Sequence, residues 1–452
     1  MNYIKNSEAI TKLCSEFTKY NSIPPELYDT YHVCRGLRNS DGTGVVAGLT
    51  NICNVHGYIV NEGEKEPMEG ELIFRGYNVK DIVANTTEAG RFGFEETVYL
   101  LLFGQLPTAE QLELLVSVLS ECRELPQDFA EDMIFKAPSK NIMNKLGRSV
   151  LALYSYDNTP EDYSLQAEII RALKLIARMP GIMVNAYHVK KRYYDNESIF
   201  MHPNIPEEGI AQSILSALRI DRQYTREEAL LLDLCLILHA EHGGGNNSTF
   251  ACRTLTSSGT DAYAAYSAAI GSLKGHRHGG ANIQVCNMLE NIKENVSDWD
   301  NDDEVASYLA KIVRREANDG TGLVYGMGHA VYTRSDPRAV ILKRSAMELA
   351  KDTAFEAEFR LLSAIERLTP QVFEAEKSSS KVMCANVDMY SGLVYRMLDI
   401  PRELFTPLFA ISRMAGWSAH RIEEMITGGR IIRPAYKAVA KPRFYTPLEE
   451  RV

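Results

Sequence analysis

The feature that most constrains the fold is one helix whose apolar residues cover its whole circumference. Residues 224–245 read YTREEALLLDLCLILHAEHGGG, in which Thr225 and Glu228 hold the positions of a capping box and three glycines follow the apolar run. A helix that is apolar on every face is buried on every face. We therefore expect this segment to lie in the middle of a large helical core.

Most of the remaining chain has helical patterns as well. From residue 78 onward apolar residues recur at helical spacing, and Thr108 and Gln111 form a second capping box. The only good strand signal is residues 43–76, where short β-branched runs alternate with glycine and acidic turns. The sequence predicts a mostly α protein with a short N-terminal β-hairpin region.

Composition narrows the class of function. The chain of 452 residues has a formal charge of -10, which argues against a general nucleic-acid binder. An anionic substrate would therefore need a local group of arginines. No segment predicts a signal peptide or a membrane-spanning helix, and the eight cysteines are scattered without a C-x-x-C pair. We expect a cytoplasmic protein with neither nucleic-acid nor membrane partners.

Four polar segments stand out from this helical background. They read HAEHGGGNNS (239–248), LKGHRHGGAN (273–282), YGMGHAVYTRSDPRA (325–339) and NVDMYSG (386–392). Taken singly, each has a structural explanation: His239 could cap helix carbonyls, Asp388 could favour a helix dipole, and Arg338 could be a salt-bridged turn residue. Their meaning depends on whether they converge.

Metal and nucleotide chemistry are the first alternatives. The histidines of HAEH, HRH and GMGH together could supply imidazoles to zinc, but the H-E-x-x-H pattern of helical zinc sites is absent. The sequence also lacks a G-x-x-x-x-G-K-[ST] phosphate loop and a G-x-S-x-G nucleophile elbow. We therefore expect neither a metal nor another cofactor.

A different combination accounts for all four segments. Two neutral histidines held by glycine turns can donate hydrogen bonds to carbonyl oxygens, and one carboxylate can remove a proton beside a carbonyl. Several arginines can bind carboxylates bidentately. A carbon–carbon bond-forming enolate reaction on a di- or tricarboxylate requires these groups.

In order and spacing, these segments resemble the citrate synthase family. The resemblance extends to FAISRMAGWSAH (409–420), RIIRP (430–434), ELIFRGYNVKDI (71–82) and FEETVYLLLFGQLPT (94–108), and it covers roughly residues 40–436. It implies that the enzyme condenses acetyl-CoA with oxaloacetate through an enol or enolate and hydrolyses citryl-CoA to citrate and CoA. Acetyl-CoA is then a co-substrate, and no cofactor is implied.

The resemblance also implies roles for individual residues. His278 would polarise the thioester carbonyl of acetyl-CoA, Asp388 would abstract the methyl proton, and His329 would donate to the ketone of oxaloacetate. The positions implied for oxaloacetate binding are His242, Asn246, Arg338, Arg413 and Arg433. Main chain at Leu323, Gly326 and Gly328 is implied to contact CoA.

A domain organisation and an assembly follow from the same resemblance. Residues 1–40 would be an arm, 41–280 and 398–436 a multi-helical large domain, 281–397 a smaller helical domain that closes over the active-site cleft, and 437–452 a tail. The implied assembly is a homodimer in which Arg433 reaches the site of the neighbouring subunit.

Two points stay open in the sequence. Many family members have Pro-Leu where this chain has His276-Arg277, and the pair could be exposed polar residues, carbonyl caps or the cause of an altered CoA approach. The chain could also be a 2-methylcitrate synthase, which uses propionyl-CoA, or a non-catalytic homologue. The intact set of His278, His329 and Asp388 argues against the last.

Overall fold

Helices make up most of the chain in the computed structural model, which describes residues 7–39, 41–61, 64–377, 382–427 and 429–451. The mostly α fold predicted from the sequence is confirmed. The chain divides into two units, Met1–Gly48 with Arg433–Val452 and Leu49–Ile432. The division of residues 41–436 into a large and a small domain stays a prediction.

The first unit contains the two ends of the chain. Its helices are α1 (Ser7–Tyr20) and α2 (Glu26–Thr30), with short 3₁₀ turns at Arg35–Leu37 and Leu448–Glu450. The segment from Arg433 to the second of these turns has no regular secondary structure. Lys437 places its Nζ atom 5.3 Å from the ring centroid of Tyr31, so the two ends of the chain contact each other within this unit.

The second unit begins with a small antiparallel sheet. Its strands are β1 (Cys53–Asn61), β2 (Glu64–Phe74) and β3 (Tyr77–Asn78), in the order β1-β2-β3. Cys53 pairs with Phe74, and the register shifts between His56 and Tyr58, around Gly57. The predicted β-hairpin region at 43–76 is therefore confirmed.

Fifteen further helices are described in the second unit, and many begin at a side chain that accepts a backbone N–H. Thr108 and Thr225 form the two expected capping boxes with Gln111 and Glu228. The helices are α3 (Val79–Glu88), α4 (Phe94–Phe103), α5 (Ala109–Glu121), α6 (Ile142–Ala152), α7 (Leu165–Tyr194), α8 (Ile210–Leu218), α9 (Arg226–His239), α10 (Asn247–Ser257), α11 (Ala262–Leu273), α12 (Ala281–Asn295), α13 (Asp302–Val313), α14 (Pro337–Ala350), α15 (Glu356–Lys377), α16 (Asp388–Met397) and α17 (Phe405–Ile426). Shorter turns lie at Ala130–Phe135, Leu153–Tyr156 and Arg402–Leu404.

The centre of the core is formed by α9 and α17. Most residues of both helices are buried, and α9 is buried without interruption from Leu231 to His239, as its apolar circumference predicts. A Cβ at Gly416 would lie 2.0 Å from Glu241 Oε2 and 2.5 Å from the carbonyl oxygen of Ala240, so only glycine allows this approach. The close contact fixes the end of α9, where the polar segment at 239–248 begins.

Within the described ranges, no helix is both long enough and apolar enough to cross a membrane.

Candidate active site

One cavity of about 140 Å³ in the second unit collects most of the residues that the sequence singled out. It brings together seven predicted site residues, His242, Asn246, His278, His329, Arg338, Asp388 and Arg413. The walls also include Gly279, Asn282, Asn386, Val387, Thr406 and Phe409. The four polar segments therefore converge.

Helix N-termini surround this cavity. Asn246 is the N-cap of α10, Asn282 lies in the first turn of α12, and Asp388 begins α16. Arg338 lies in the first turn of α14, directly after Pro337. Because helix N-termini carry partial positive charge and unpaired N–H groups, their convergence favours an anionic ligand.

The turn after α9 holds His242 and Asn246. Gly243 has φ +88° and donates its N–H to Glu241 Oε1 at 2.5 Å, and Asn246 donates its N–H to the Gly243 carbonyl at 3.1 Å. His420 Nε2 lies 3.0 Å from Glu241 Oε1. Burial opposes ionisation of Glu241, but His420, Arg413 and the Gly243 N–H together outweigh burial and lower the pKa of this carboxyl. The turn is thus anchored by a buried ionised side chain.

The glycine turn before α12 aims the His278 ring into the cavity. The His278 N–H donates to the Gly275 carbonyl at 2.8 Å, and Thr406 Oγ1 donates to the Gly279 carbonyl at 2.7 Å. His278 Nε2 lies 3.2 Å from Ser248 Oγ, a hydroxyl that donates to Asn246 Oδ1 at 2.9 Å. Burial, with a smaller contribution from Arg413, lowers the pKa of His278 to about 4. The ring is therefore neutral at pH 7.

His329 has a defined tautomer. Its Nδ1 accepts the backbone N–H groups of Val331 and Tyr332, both at 3.0 Å, so a neutral ring has its proton on Nε2. The ring stacks on Tyr332 at a centroid distance of 4.5 Å, and its centroid lies 5.2 Å from that of His242. His329 is thus held as a hydrogen-bond donor beside a second imidazole.

Two hairpin glycines allow the His329 segment to approach the sheet. A Cβ at Gly57 would lie 2.5 Å from the Val331 carbonyl oxygen, and one at Gly70 would lie 2.1 Å from the Ser335 carbonyl oxygen. The Thr333 hydroxyl donates to the Gly57 carbonyl across this contact. The segment between His329 and Arg338 is therefore positioned by direct contact with the β-hairpin.

Asp388 is placed by a turn that pairs with the 326–328 loop. Gly328 donates its N–H to the Cys384 carbonyl at 2.7 Å, and Asn386 donates its N–H to the Gly326 carbonyl at 2.8 Å. Burial, against the opposing charge of Arg338, raises the pKa of Asp388 from its ordinary value of 3.8 to about 6. A carboxylate with a raised pKa is a stronger base than an exposed one and is still ionised at neutral pH.

The two arginines of the cavity differ in their pairing. Arg338 forms a bidentate ion pair with Asp336, with Nε at 3.0 Å from Oδ1 and Nη2 at 2.7 Å from Oδ2. Arg413 donates Nε to the His239 carbonyl at 2.6 Å, but its buried Nη1 and Nη2 atoms have no hydrogen-bond partner among the described residues. Burial lowers the pKa of Arg413 to about 10.

His242 also has an unsatisfied polar atom. Its Nε2 is buried and, in the described part of the chain, has no hydrogen-bond partner. Burial first, then the charge of Arg338, lowers its pKa well below the ordinary value, so the ring is neutral. Buried donors are normally satisfied, and these unsatisfied groups together fit a carboxylate ligand.

Four predicted site residues do not line this cavity. Leu323, Gly326 and Gly328 lie in the loop between α13 and α14, where Leu323 is half exposed and both glycines have positive φ. The Gly328 N–H and the Gly326 carbonyl are already paired with the 384–386 turn. Arg433 is exposed and belongs to the first unit. The CoA contact of this loop and the role of Arg433 stay predictions.

The residues that sequence reasoning missed lie beside those it found. Asn282 is the last letter of the HGGAN segment, and its buried Oδ1 lacks a hydrogen-bond partner among the described residues. Asn386 begins the NVD segment and donates Nδ2 to the Gly328 carbonyl at 2.9 Å. Ser248 contacts His278, and Trp417 in turn contacts Ser248, with Trp417 Nε1 at 3.3 Å from Ser248 Oγ. Only their neighbourhood in the sequence could have indicated these residues.

No group of three or more His, Cys, Asp or Glu side chains in the described ranges is arranged to hold a metal ion. The HxxH and HxH patterns therefore do not assemble into a multi-residue site there.

The sequence of the chain matches a known family model and named relatives. The family model described as "Citrate synthase, C-terminal domain" matches residues 38–435. A citrate synthase of Synechocystis is 32% identical over 413 residues, 90% of this chain and 93% of that protein. Citrate synthase 2 of Bacillus subtilis is 33% identical over 416 residues, 90% of this chain and 98% of that protein.

Solved structures show the same fold. The citrate synthase of Pyrobaculum aerophilum has a TM-score of 0.73 and 30% identity, covering 90% of this chain and 94% of that one. A ternary complex of carboxymethyl coenzyme A and oxaloacetate with the citrate synthase of Thermoplasma acidophilum has a TM-score of 0.74 and 27% identity, covering 93% and 99%. The fold and the relatives thus define an enzyme of the acyltransferase type. The chain belongs to the citrate synthase family.

Proposed function

We propose that this enzyme condenses acetyl-CoA with oxaloacetate through an enol or enolate and hydrolyses citryl-CoA to citrate and CoA. The observation that supports this most is one cavity that combines a carboxylate of raised pKa, neutral imidazoles and the unpartnered nitrogens of Arg413. Each group corresponds to one requirement of the reaction: a base, donors to carbonyl oxygens, and a clamp for a carboxylate.

Oxaloacetate binds first in this account. Arg413 presents Nη1 and Nη2, which have no hydrogen-bond partner among the described residues, to one carboxylate. Arg338 and His242 complete the polar wall, with Asn246 at the N-terminus of α10. His329 donates Nε2–H to the ketone oxygen, which increases the electrophilic character of the ketone carbon. Arg433 of the partner subunit would add a further positive charge in a homodimer.

Acetyl-CoA then meets His278 and Asp388. Asp388 removes a methyl proton, the C–H electron pair forms the C=C bond of the enolate, and the carbonyl π pair moves to the thioester oxygen, which His278 stabilises through a hydrogen bond. For His278 to donate from Nδ1, the Ser248 hydroxyl must turn its proton toward Nε2, with the Asn246 carboxamide presenting N–H to Ser248. The enol carbon attacks the ketone carbon, the ketone oxygen takes the His329 proton, and water cleaves the citryl-CoA thioester.

The cavity walls come from both parts of the chain that the resemblance assigns to separate domains. His242, Asn246, His278 and Arg413 lie in 41–280 and 398–436, whereas His329, Arg338 and Asp388 lie in 281–397. We propose that 281–397 closes over the remainder once oxaloacetate binds, because a closed site excludes the water that would hydrolyse acetyl-CoA.

Acetyl-CoA acts as a co-substrate, and the proposal includes neither a metal nor another cofactor. A cytoplasmic location is part of it, supported by eight cysteines that are all unpaired, as in a reducing compartment. We propose the tricarboxylic acid cycle as the setting.

Propionyl-CoA is the alternative acyl donor. A 2-methylcitrate synthase of Shewanella oneidensis is 31% identical over 381 residues, 84% of this chain and 92% of that protein. One methylene changes binding by only ~1–3 kcal/mol, and no single residue of this site decides between the two donors.

A thiol-release assay with oxaloacetate, run in parallel with acetyl-CoA and propionyl-CoA, tests the proposal. We expect a higher kcat/KM with acetyl-CoA. The reverse preference would replace the proposal by the 2-methylcitrate reaction, and no oxaloacetate-dependent thiol release from either donor would refute both.

A further inference from the structure

The turn before α12 has a second set of side chains that the proposed reaction does not use. Lys274, His276 and Arg277 are all exposed, whereas His278 in the same turn is half-buried and lines the cavity. Among the described residues, the three exposed side chains form no ion pair and no hydrogen bond to another side chain. The turn therefore presents up to three unneutralised basic groups to solvent beside the cavity.

The backbone of this turn is rigidly placed. Both His278 and Gly279 donate their N–H groups to the Gly275 carbonyl, at 2.8 and 3.1 Å. A Cβ at Gly279 would lie 2.2 Å from the Leu273 carbonyl oxygen, so this turn packs against the end of α11 without spare room. The position of Arg277 relative to the His278 ring is thus fixed within one short turn.

That placement has a consequence for any thioester held by His278. The acyl group would lie in the cavity, which His278 lines, and the carrier attached to its sulfur would have to extend toward solvent, where the adjacent Lys274, His276 and Arg277 are exposed. CoA is a polyanion, with a diphosphate and a 3′-phosphate. In a chain of formal charge -10, a local basic group is what would attract it.

We propose that Lys274, His276 and Arg277 form a phosphate-binding site for the CoA end of the acyl donor. The inference rests on the proposed function, because it takes His278 as the thioester contact. Arg277 is the principal member, since a guanidinium can donate two hydrogen bonds to one phosphate. The site would recognise the phosphorylated carrier and leave the choice of acyl group to the cavity.

Binding of carrier fragments tests this site independently of turnover. Calorimetry would compare CoA, dephospho-CoA and pantetheine on the wild type, Arg277→Leu, Lys274→Leu and the conservative Arg277→Lys. Lys80→Leu is the matched control, because Lys80 is an exposed lysine at the start of α3 outside the cavity wall.

We expect Arg277→Leu to weaken CoA binding about fivefold, the scale of one exposed ion pair, and Arg277→Lys to recover part of it. The affinity for pantetheine should be nearly the same in all variants and the wild type. The loss of CoA affinity in Arg277→Leu should become smaller at high salt. In turnover, the KM for acetyl-CoA should rise relative to that for S-acetylpantetheine.

Two results would overturn the inference. One is CoA binding by Arg277→Leu and Lys274→Leu that equals the wild type. The other is an equal loss for CoA and pantetheine, which would indicate a distorted turn. Failure of the proposed function is a separate outcome, since a wild type that binds CoA but releases no thiol with oxaloacetate would refute the reaction and leave the phosphate site measurable.

Discussion

Arg413 keeps its guanidinium inside the protein with only Nε hydrogen-bonded among the described residues. Its side chain is fully buried, and burial lowers its pKa from 12.5 to about 10. Keeping this charge therefore costs the unliganded protein up to about 3 kcal/mol, which a bound carboxylate would offset. Binding strength and unliganded stability are thus in conflict at this residue.

Replacing Arg413 by methionine should separate its effect on oxaloacetate binding from its effect on the stability of the unliganded protein. We expect Arg413→Met to keep or raise the free energy of unfolding of the unliganded protein, by up to about 2 kcal/mol, and to abolish the stabilisation by oxaloacetate. Thermal unfolding with and without oxaloacetate measures both effects.

Arg421→Met is the matched control. Arg421 is equally buried, but its guanidinium is hydrogen-bonded to Glu168, Thr256 and the Thr260 carbonyl. It should lose about 3 kcal/mol of stability, because the buried Glu168 would keep only one of its two arginine partners, Arg171. An Arg413→Met protein that unfolds more easily than the wild type, yet is still stabilised by oxaloacetate, would contradict this account.

Asp388 gives the site a pH dependence. Its pKa is raised to about 6, and the base must be ionised, so kcat/KM for acetyl-CoA should fall about tenfold per pH unit below pH 6. A pH–rate profile from pH 3.5 to 8 measures this acid limb. A limb near pH 4, the range of an unperturbed carboxyl, would contradict the raised pKa of Asp388.

The same shift affects stability. The folded protein holds the Asp388 proton up to about pH 6, whereas the unfolded chain releases it near the ordinary value of 3.8. Between these values the contribution of Asp388 to stability therefore declines as pH rises. Asp388→Asn should remove this part of the pH dependence of unfolding, as measured by denaturant titration at pH 4.5 and 7 against the wild type.

Sequence reasoning selected side chains that meet in one cavity but did not give their proton positions. Residue type and order placed His278, His329 and Asp388 in the segments that meet at the cavity. The tautomer of His329 depends on two backbone N–H groups, and the state of His278 depends on Ser248. Distances of about 3 Å between groups of different helices are set by packing, which a sequence pattern does not encode.

At the scale of elements, local signals were read correctly where the interaction is local. The capping boxes at Thr108 and Thr225 formed as expected, because both partners lie within four residues. The glycines of the hairpin had no such signal. Gly57 and Gly70 are required by contact with Val331 and Ser335, which lie more than 260 residues further along the chain.

Alanine at Gly57 tests how the hairpin positions the site. Its Cβ would lie 2.5 Å from the Val331 carbonyl oxygen, so the His329 segment must shift. We expect Gly57→Ala to cost about 1–3 kcal/mol of stability and to raise the KM for oxaloacetate, since His329 and Arg338 flank this contact.

Gly181→Ala provides the comparison. Gly181 lies inside α7, and a Cβ there would meet no atom within 4 Å. Helix propensity alone should then raise stability by about 0.5–1 kcal/mol, with the KM for oxaloacetate unchanged. Equal KM values for Gly57→Ala and the wild type would mean that the hairpin does not position the site.

At the scale of the whole molecule, the apolar circumference of α9 was enough to predict a large helical core, because burial on all sides requires many partners. The sequence treated the arm and the tail separately, but Met1–Gly48 and Arg433–Val452 form one unit. Joining the two ends of a chain is a long-range event that no local pattern specifies. The large and small domains, and the closure between them, remain to be tested.

Metal removal is a test of the whole enzyme. Because the proposed steps use only side chains, dialysis against a chelator such as EDTA should leave oxaloacetate-dependent thiol release unchanged. Activity that disappears with EDTA and returns with zinc would contradict the proposed roles of His278 and His329.

The most direct test of the central claim is the ratio of citrate formed to thiol released, measured with acetyl-CoA and oxaloacetate on the wild type and Asp388→Asn. We expect one citrate per thiol from the wild type, no release without oxaloacetate, and a loss of at least about a hundredfold in kcat for Asp388→Asn. Thiol release without citrate, or an Asp388→Asn enzyme as fast as the wild type, would contradict the account.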